Sequence, residues 1–167
     1  RLKSSIEGLT GQVMRSCGLA RVLSVLPLSR VFGEGDELSN RTWLVPLIRS
    51  CVQDSSPQDF TDLLLPLIGL ITSKMDALQT GMDTDTGALS VAVASLGTLR
   101  YQVWSCLPSF AKSCQKGGID RVSTVTWGII LDLLDQEQGT GLEAVALSTL
   151  RNLTTTAREP EEARRVL

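Results

Sequence analysis

Leu26-Pro27-Leu28, Val45-Pro46-Leu47, Leu65-Pro66-Leu67 and Leu107-Pro108-Ser109-Phe110 place a proline in the same apolar setting four times. The prolines are 19, 20 and 42 residues apart, so the last interval covers about two of the earlier ones. Self-similarity at about 20 residues per unit, or about 40 per pair, marks helical hairpins stacked along an axis. A unit of that length cannot bury its apolar face alone, so neighbours must stack on a continuous core. The pattern predicts an all-α solenoid of antiparallel helix pairs, with Pro46, Pro66 and Pro108 lying within or at the ends of helices.

Apolar residues recurring every three or four positions on either side of these prolines predict seven helical segments. The first runs from about Ser5 to Leu26, with Ile6, Leu9, Val13, Cys17, Ala20, Leu23 and Leu26 inward, weakened by Gly8, Gly11 and Gly18. Ser39 or Asn40 caps a second through Trp43, Leu44, Leu47, Ile48 and Cys51. Ser56, Pro57 and Asp59 open a third, whose stripe of Phe60, Leu63, Leu64, Leu67, Ile68 and Ile71 is kinked at Pro66. A polar connection from Thr80 to Gly87 precedes a long helix from about Ala88 to Lys112, bent or ended by Pro108. Asp120 caps a helix carrying Val122, Val125, Ile129, Ile130, Leu133 and Leu134. Thr140 and Glu143 cap another carrying Leu142, Val145, Ala146, Thr149, Leu150 and Leu153, and Glu159-Pro160 starts one more. Short connections imply antiparallel neighbours. Residues 1–167 form a single array and, lacking an initiator Met at Arg1, read as a fragment of a longer chain.

Composition agrees. The 167 residues are 43% hydrophobic but only 4% aromatic, so packing rests on Leu, Val, Ile and Ala. A net charge of −2 predicts no strong bulk attraction to nucleic acid or anionic membranes. Arg outnumbers Lys by 12 to 4, and Arg49, Arg121 and Arg151 are the scattered cations through which phosphates would be touched. No secretory signal and no uninterrupted membrane span is visible.

Catalytic chemistry finds no support. The chain has no histidine, which removes Ser-His and Cys-His pairs and the near-neutral general base. Cys17, Cys51, Cys106 and Cys114 include no CxxC. On one helix Cys106 and Cys114 would be about 12 Å apart along the axis, too far for a disulfide, so buried reduced thiols are expected. Met82-Asp83-Thr84-Asp85-Thr86 resembles an aspartyl-phosphatase nucleophile motif, but the preceding Leu78-Gln79-Thr80-Gly81 is no buried strand. Ser109 to Lys112 has the bare SxxK spacing without its companion motifs. Asn40 and Asn152 head formal glycosylation sequons. Trp43, Trp104 and Trp127 read as core residues, and Arg158, Arg164 and Arg165 as part of a mixed-charge helix surface. No catalytic, cofactor-binding or metal-binding residue is assigned, and no cofactor or small-molecule substrate is expected.

Val25-Leu26-Pro27-Leu28, Arg41-Thr42-Trp43-Leu44-Val45-Pro46-Leu47-Ile48-Arg49, Phe60 to Pro66-Leu67, and Gln102-Val103-Trp104-Ser105-Cys106-Leu107-Pro108-Ser109-Phe110 stand in a particular order. In that combination the stretch Val25 to Phe110 resembles the helical-repeat domain of the ribosomal RNA-processing protein 12 family, nucleolar HEAT-repeat assembly factors. Ala111-Lys112-Ser113-Cys114 departs from the Cys and Pro-Thr-Asp turn usual there, and beyond Gly117 the helices are generically HEAT-like. The resemblance implies a non-catalytic scaffold for precursor ribosomal RNA and assembly proteins in the small-subunit precursor. It also implies a role in processing and nuclear export, with Ran or the export machinery as further partners. The protein would reside in nucleolus and nucleus and shuttle to the cytoplasm. The alternative within the same fold class is a HEAT-type nuclear transport receptor or phosphatase-scaffold module, and the first of these lacks its expected acidic helix row here.

Overall fold

The computed structural model describes residues 2–28, 41–80, 86–113, 122–135 and 141–165. Among them are nine helices and no strand: α1 (Leu2–Cys17), α2 (Leu19–Val25), α3 (Leu44–Cys51), α4 (Pro57–Leu63), α5 (Leu65–Thr80), α6 (Thr86–Trp104), α7 (Leu107–Ser113), α8 (Thr124–Asp135) and α9 (Leu142–Arg165). They stack as three helix pairs: α1–α2 with α3, α4–α5 with α6–α7, and α8 with α9. The second pair is the bridge, since α3 packs on α6 and α7 while α4, α6 and α7 pack on α8 and α9. This is the HEAT-like all-α solenoid expected from the proline spacing.

Four of the six prolines sit where their missing N–H costs nothing. Pro46 is the third residue of α3, and Pro57, Pro66 and Pro108 fall in the first two positions of α4, α5 and α7, where no intrahelical donor is required. The predicted third helix is therefore two helices hinged at Leu64, whose N–H donates to the Phe60 carbonyl (2.9 Å) and whose carbonyl accepts from Ile68 (3.2 Å). The predicted long helix likewise starts at Thr86 and divides at Ser105-Cys106. There Cys106 donates to Val103 (3.1 Å) and Ser109 to Cys106 (2.9 Å), two tight turns that carry the chain past Pro108. The third start is as expected: Ser56 accepts from the Asp59 N–H (3.3 Å) and Asp59 accepts from the Ser56 N–H, a reciprocal capping box.

Three expectations are corrected. The first predicted helix breaks at Gly18, whose φ of +83° lies in the left-handed region, a conformation glycine adopts without the Cβ penalty. Its facing is also reversed along α1. Met14 is buried with Gly11, whereas Ile6 (47% exposed), Leu9 (65%) and Val13 (48%) face outward and Cys17 is exposed. Gly11 explains this: a Cβ there would meet Cys51 Sγ at 2.9 Å, so the glycine side of α1 lets α3 approach. Finally, no helix begins at Glu159-Pro160, because α9 runs unbroken from Leu142 to Arg165. Ser123, whose Oγ accepts from the Thr126 N–H (3.2 Å), caps α8. The proposed caps Ser39, Asn40, Asp120 and Thr140 lie outside the described residues.

Other stripes fall as read. Leu44, Ile48 and Cys51, then Phe60, Leu64, Leu67, Ile68 and Ile71, then Leu96, Leu99 and Val103, and Leu142, Val145, Ala146 and Leu153 are all buried in one core. In α8 the expected Val125 is exposed and Thr126 is buried in its place. Its hydroxyl is held by Ser123 (3.0 Å) and by Thr61 of α4 (3.3 Å), a polar tie between the second and third pairs. Ser113 Oγ accepts from the Ser55 N–H (3.3 Å) and donates to the Ser55 carbonyl (2.8 Å), fastening the end of α7 to the approach of α4.

At the centre Phe60 stacks on Trp104 (centroids 5.6 Å, interplanar 29°) and meets Phe110 edge-on (5.6 Å, 78°). One ring from each of α4, α6 and α7 thus closes the second pair. Phe60→Ala is expected to cost about 3–5 kcal/mol, whereas Leu9→Glu on the outward face of α1 should stay within about 0.5 kcal/mol. Urea unfolding of the two variants checks both, and a large loss at Leu9 would restore the sequence-based facing of α1.

Candidate functional site

Several of the sequence candidates resolve into structural roles. Trp104 is buried, and Trp43 and Trp127 pack half-buried against the core. Asp83, Asp85 and Arg121 lie outside the described residues, as do Asn40, Cys114 and the side chains of Arg158, Arg164 and Arg165. Arg151 is exposed on α9. The Asn152 amide donates to the Pro108 carbonyl across α9 and α7 (2.8 Å), so it serves packing rather than offering an open sequon. Among the described residues no group of three or more His, Cys, Asp or Glu could hold a metal ion.

Of the cysteines, Cys51 and Cys106 are buried as expected, but Cys17 is exposed. Cys106 lies in the turn between α6 and α7, its thiol directed at the carbonyls of Gln102 (3.5 Å) and Val45 (3.6 Å). Burial pushes its pKa up to about 12, and the Arg49 charge and a hydrogen bond involving Arg49 only partly oppose this. The folded thiol is neutral and unreactive at physiological pH.

A cleft of about 250 Å³ opens where α3, α6, α7 and α9 meet. Arg49 enters it from the last turn of α3 and Lys112 from the last turn of α7, positions where the helix dipole favours cations. Tyr101 and Ser105 contribute from the end of α6, Ser109 from α7, and Ser148 and Asn152 from α9. Pro108, Ala144 and Val145 make an apolar wall. No acidic residue lines the cleft, and no carboxylate among the described residues pairs with Arg49 or Lys112. The Ser105 hydroxyl is spent on the Tyr101 carbonyl (2.8 Å). Those of Ser109 and Ser148 make no hydrogen bond among the described residues.

The SxxK spacing therefore has a physical meaning that its chemistry-minded reading missed. Ser109 and Lys112 are one turn apart on α7 and line the same cleft. Among the described residues no hydrogen bond joins them. The arrangement can hold a negatively charged group by charge and hydroxyl donors. Arg49 and the Ser109–Lys112 pair were visible in the sequence. Their convergence with Ser148 and Asn152, some 40 to 100 residues away along the chain, was not.

A stack of helix pairs presenting a polar cleft defines a HEAT-like helical-repeat array. The chain belongs to the ribosomal RNA-processing protein 12 HEAT-repeat family, whose pattern matches residues 1–158. That span extends the resemblance well past Phe110, into helices whose sequence is only generically HEAT-like. The chain is 32% identical over 109 residues to the RRP12-like protein of Homo sapiens, covering 64% of this chain and 8% of that protein. It is 30% identical over 108 residues to the putative ribosomal RNA-processing protein 12 of Schizosaccharomyces pombe (65% of this chain, 9% of that protein). Identity to ribosomal RNA-processing protein 12 of Saccharomyces cerevisiae is 28% over 111 residues (66% and 8%). The matched stretch is less than a tenth of each of these relatives. No solved structure matches the chain.

Cys17 is expected to alkylate readily at pH 8 while Cys106 stays protected until the protein unfolds, as peptide mass mapping will show. The unfolded thiol ionises from pH 9.0 upward while the folded one keeps its proton to about 12. The unfolded state thus sheds this proton first, and the stability Cys106 contributes falls as pH rises across that window. A Cys106→Ala variant should show a shallower loss over the same range.

Proposed function

We propose that this chain is part of a ribosome-assembly scaffold that holds precursor ribosomal RNA and assembly proteins together in the small-subunit precursor. Membership of the ribosomal RNA-processing protein 12 family carries this reading, and the relatives' names concern ribosomal RNA processing. The fold supports it, since stacked pairs present long surfaces and act by contact. The protein works in the nucleolus and nucleus and accompanies subunits toward export, where Ran or the export machinery joins it. The matched stretch is under a tenth of each relative's length, so this array supplies one part of such a scaffold.

Charge sets how this segment contributes. With a net charge of −2, the array attracts RNA only through scattered cations such as Arg49 and Arg151. Such contacts release counterions and weaken steeply with salt. Particle association therefore depends mainly on protein contacts and on the rest of the longer chain.

Affinity purification of the tagged full-length protein from nuclear extract, with sequencing of the recovered RNA, tests the proposal. Small-subunit precursor RNA should be enriched over large-subunit precursors, and recovery of neither overturns the reading. In filter binding, residues 1–167 alone should hold RNA weakly and lose it as salt rises. Tight, salt-resistant binding would shift the RNA-holding role onto this segment.

A further inference from the structure

The cleft between α3, α6, α7 and α9 is a local exception in an acidic protein. Its lining carries two cations and no carboxylate, although the chain has 18 acidic residues against 16 basic ones. The cations come from different helices and converge on one recess, so a single ligand group can meet both. Arg49 brings a planar fork and Lys112 a compact ammonium. Ser109 and Ser148, unbonded among the described residues, stand on facing helices, and Tyr101 adds a phenol.

We infer that this cleft binds a phosphorylated serine or threonine side chain presented by a protein partner. A phosphomonoester carries about −1.5 to −2 charges near pH 7 and three terminal oxygens, which matches two cations and two hydroxyl donors lining one recess. The apolar wall of Pro108, Ala144 and Val145 suits the carbon stem that carries the phosphate. A cavity of about 250 Å³ is smaller than the roughly 300 to 1,000 Å³ of a typical small-molecule pocket, and it is sized for a side chain.

An RNA backbone fits less well. Each of its phosphates carries a single charge and the chain must leave on both sides, which calls for a track of cations. This cleft is one isolated pair of charges against an apolar wall. The inference rests on the scaffold reading for the partner's setting and names how one partner segment is held.

Amide-resolved NMR titration of the 167-residue protein with N-acetyl-phosphoserine amide, and with the unphosphorylated compound, tests it. Saturable shifts confined to Arg49, Tyr101, Ser105, Ser109, Lys112, Ser148 and Asn152 are expected with the phosphorylated probe only. Arg49→Ala and Lys112→Ala should each weaken binding at least about tenfold, the scale of a lost charge-assisted contact. Both residues are exposed, so both variants should keep the parent melting curve. Unsaturable or dispersed shifts, or unchanged affinity in both variants, overturn the inference. So does a 5′-hydroxyl oligoribonucleotide that occupies the same residues more tightly, since it makes the cleft an RNA contact. The scaffold reading is read separately from RNA recovery with the full-length protein, which survives if only the phosphoserine titration fails.

Discussion

A backbone nitrogen without a hydrogen sets the segmentation of the second helix pair. Pro66 and Pro108 cannot donate to the carbonyl four residues earlier, so neither can stand deep inside a helix without loss. The chain restarts a helix at each instead, closing α4 before Leu64 and α6 before Ser105. The short helices that result can each turn one aromatic ring inward. Phe60, Trp104 and Phe110 meet because α4, α6 and α7 are separate bodies. An uninterrupted helix over residues 86–113 would fix the directions of Trp104 and Phe110 by its own pitch.

The same restart builds the cleft. Two tight turns carry the chain from Trp104 to Leu107 and leave Ser109 and Lys112 on a new axis, beside Arg49 of α3. The Pro108 carbonyl then accepts from Asn152 and holds α9 as the opposite wall. Cys106 fills the inside of this turn and is fully buried, its thiol against the carbonyl of Val45. A larger side chain there would press on α3 and move Arg49. The core and the cleft therefore share their parts, and the cleft owes its shape to segmentation imposed by sequence.

What the sequence reveals follows from the range of the interaction that decides each feature. Proline spacing, the Ser56 capping box and the stripes of α3, α5, α6 and α9 are local, and each was legible as a pattern. The facing of α1 was not. Its apolar positions Ile6, Leu9 and Val13 form a regular stripe, yet the glycine beside them controls approach, because only there does the backbone come close enough to Cys51. Small residues carry no hydrophobic signal but can win a packing interface by letting two helices close. The break at Gly18 belongs with it, since a run of helical periodicity does not register one residue at positive φ. The cleft is long-range throughout: the hydroxyls of Ser109 and Ser148 have ordinary helix-surface neighbours in sequence and acquire meaning only when α7 and α9 are laid side by side.

The outward stripe on α1 and the cleft differ in what they ask of a neighbour. Ile6, Leu9 and Val13 gain by losing water, at about 25 cal/mol per Å² of apolar surface covered, and that gain is insensitive to salt. Arg49 and Lys112 gain by meeting charge, and that gain fades as ionic strength rises. Apolar burial sets how strongly a surface holds, whereas a charged recess discriminates by the charge of what it meets. The two surfaces therefore respond differently to the same change of solvent. The helix stack itself, built on the aromatic trio and the proline restarts, depends on neither gain.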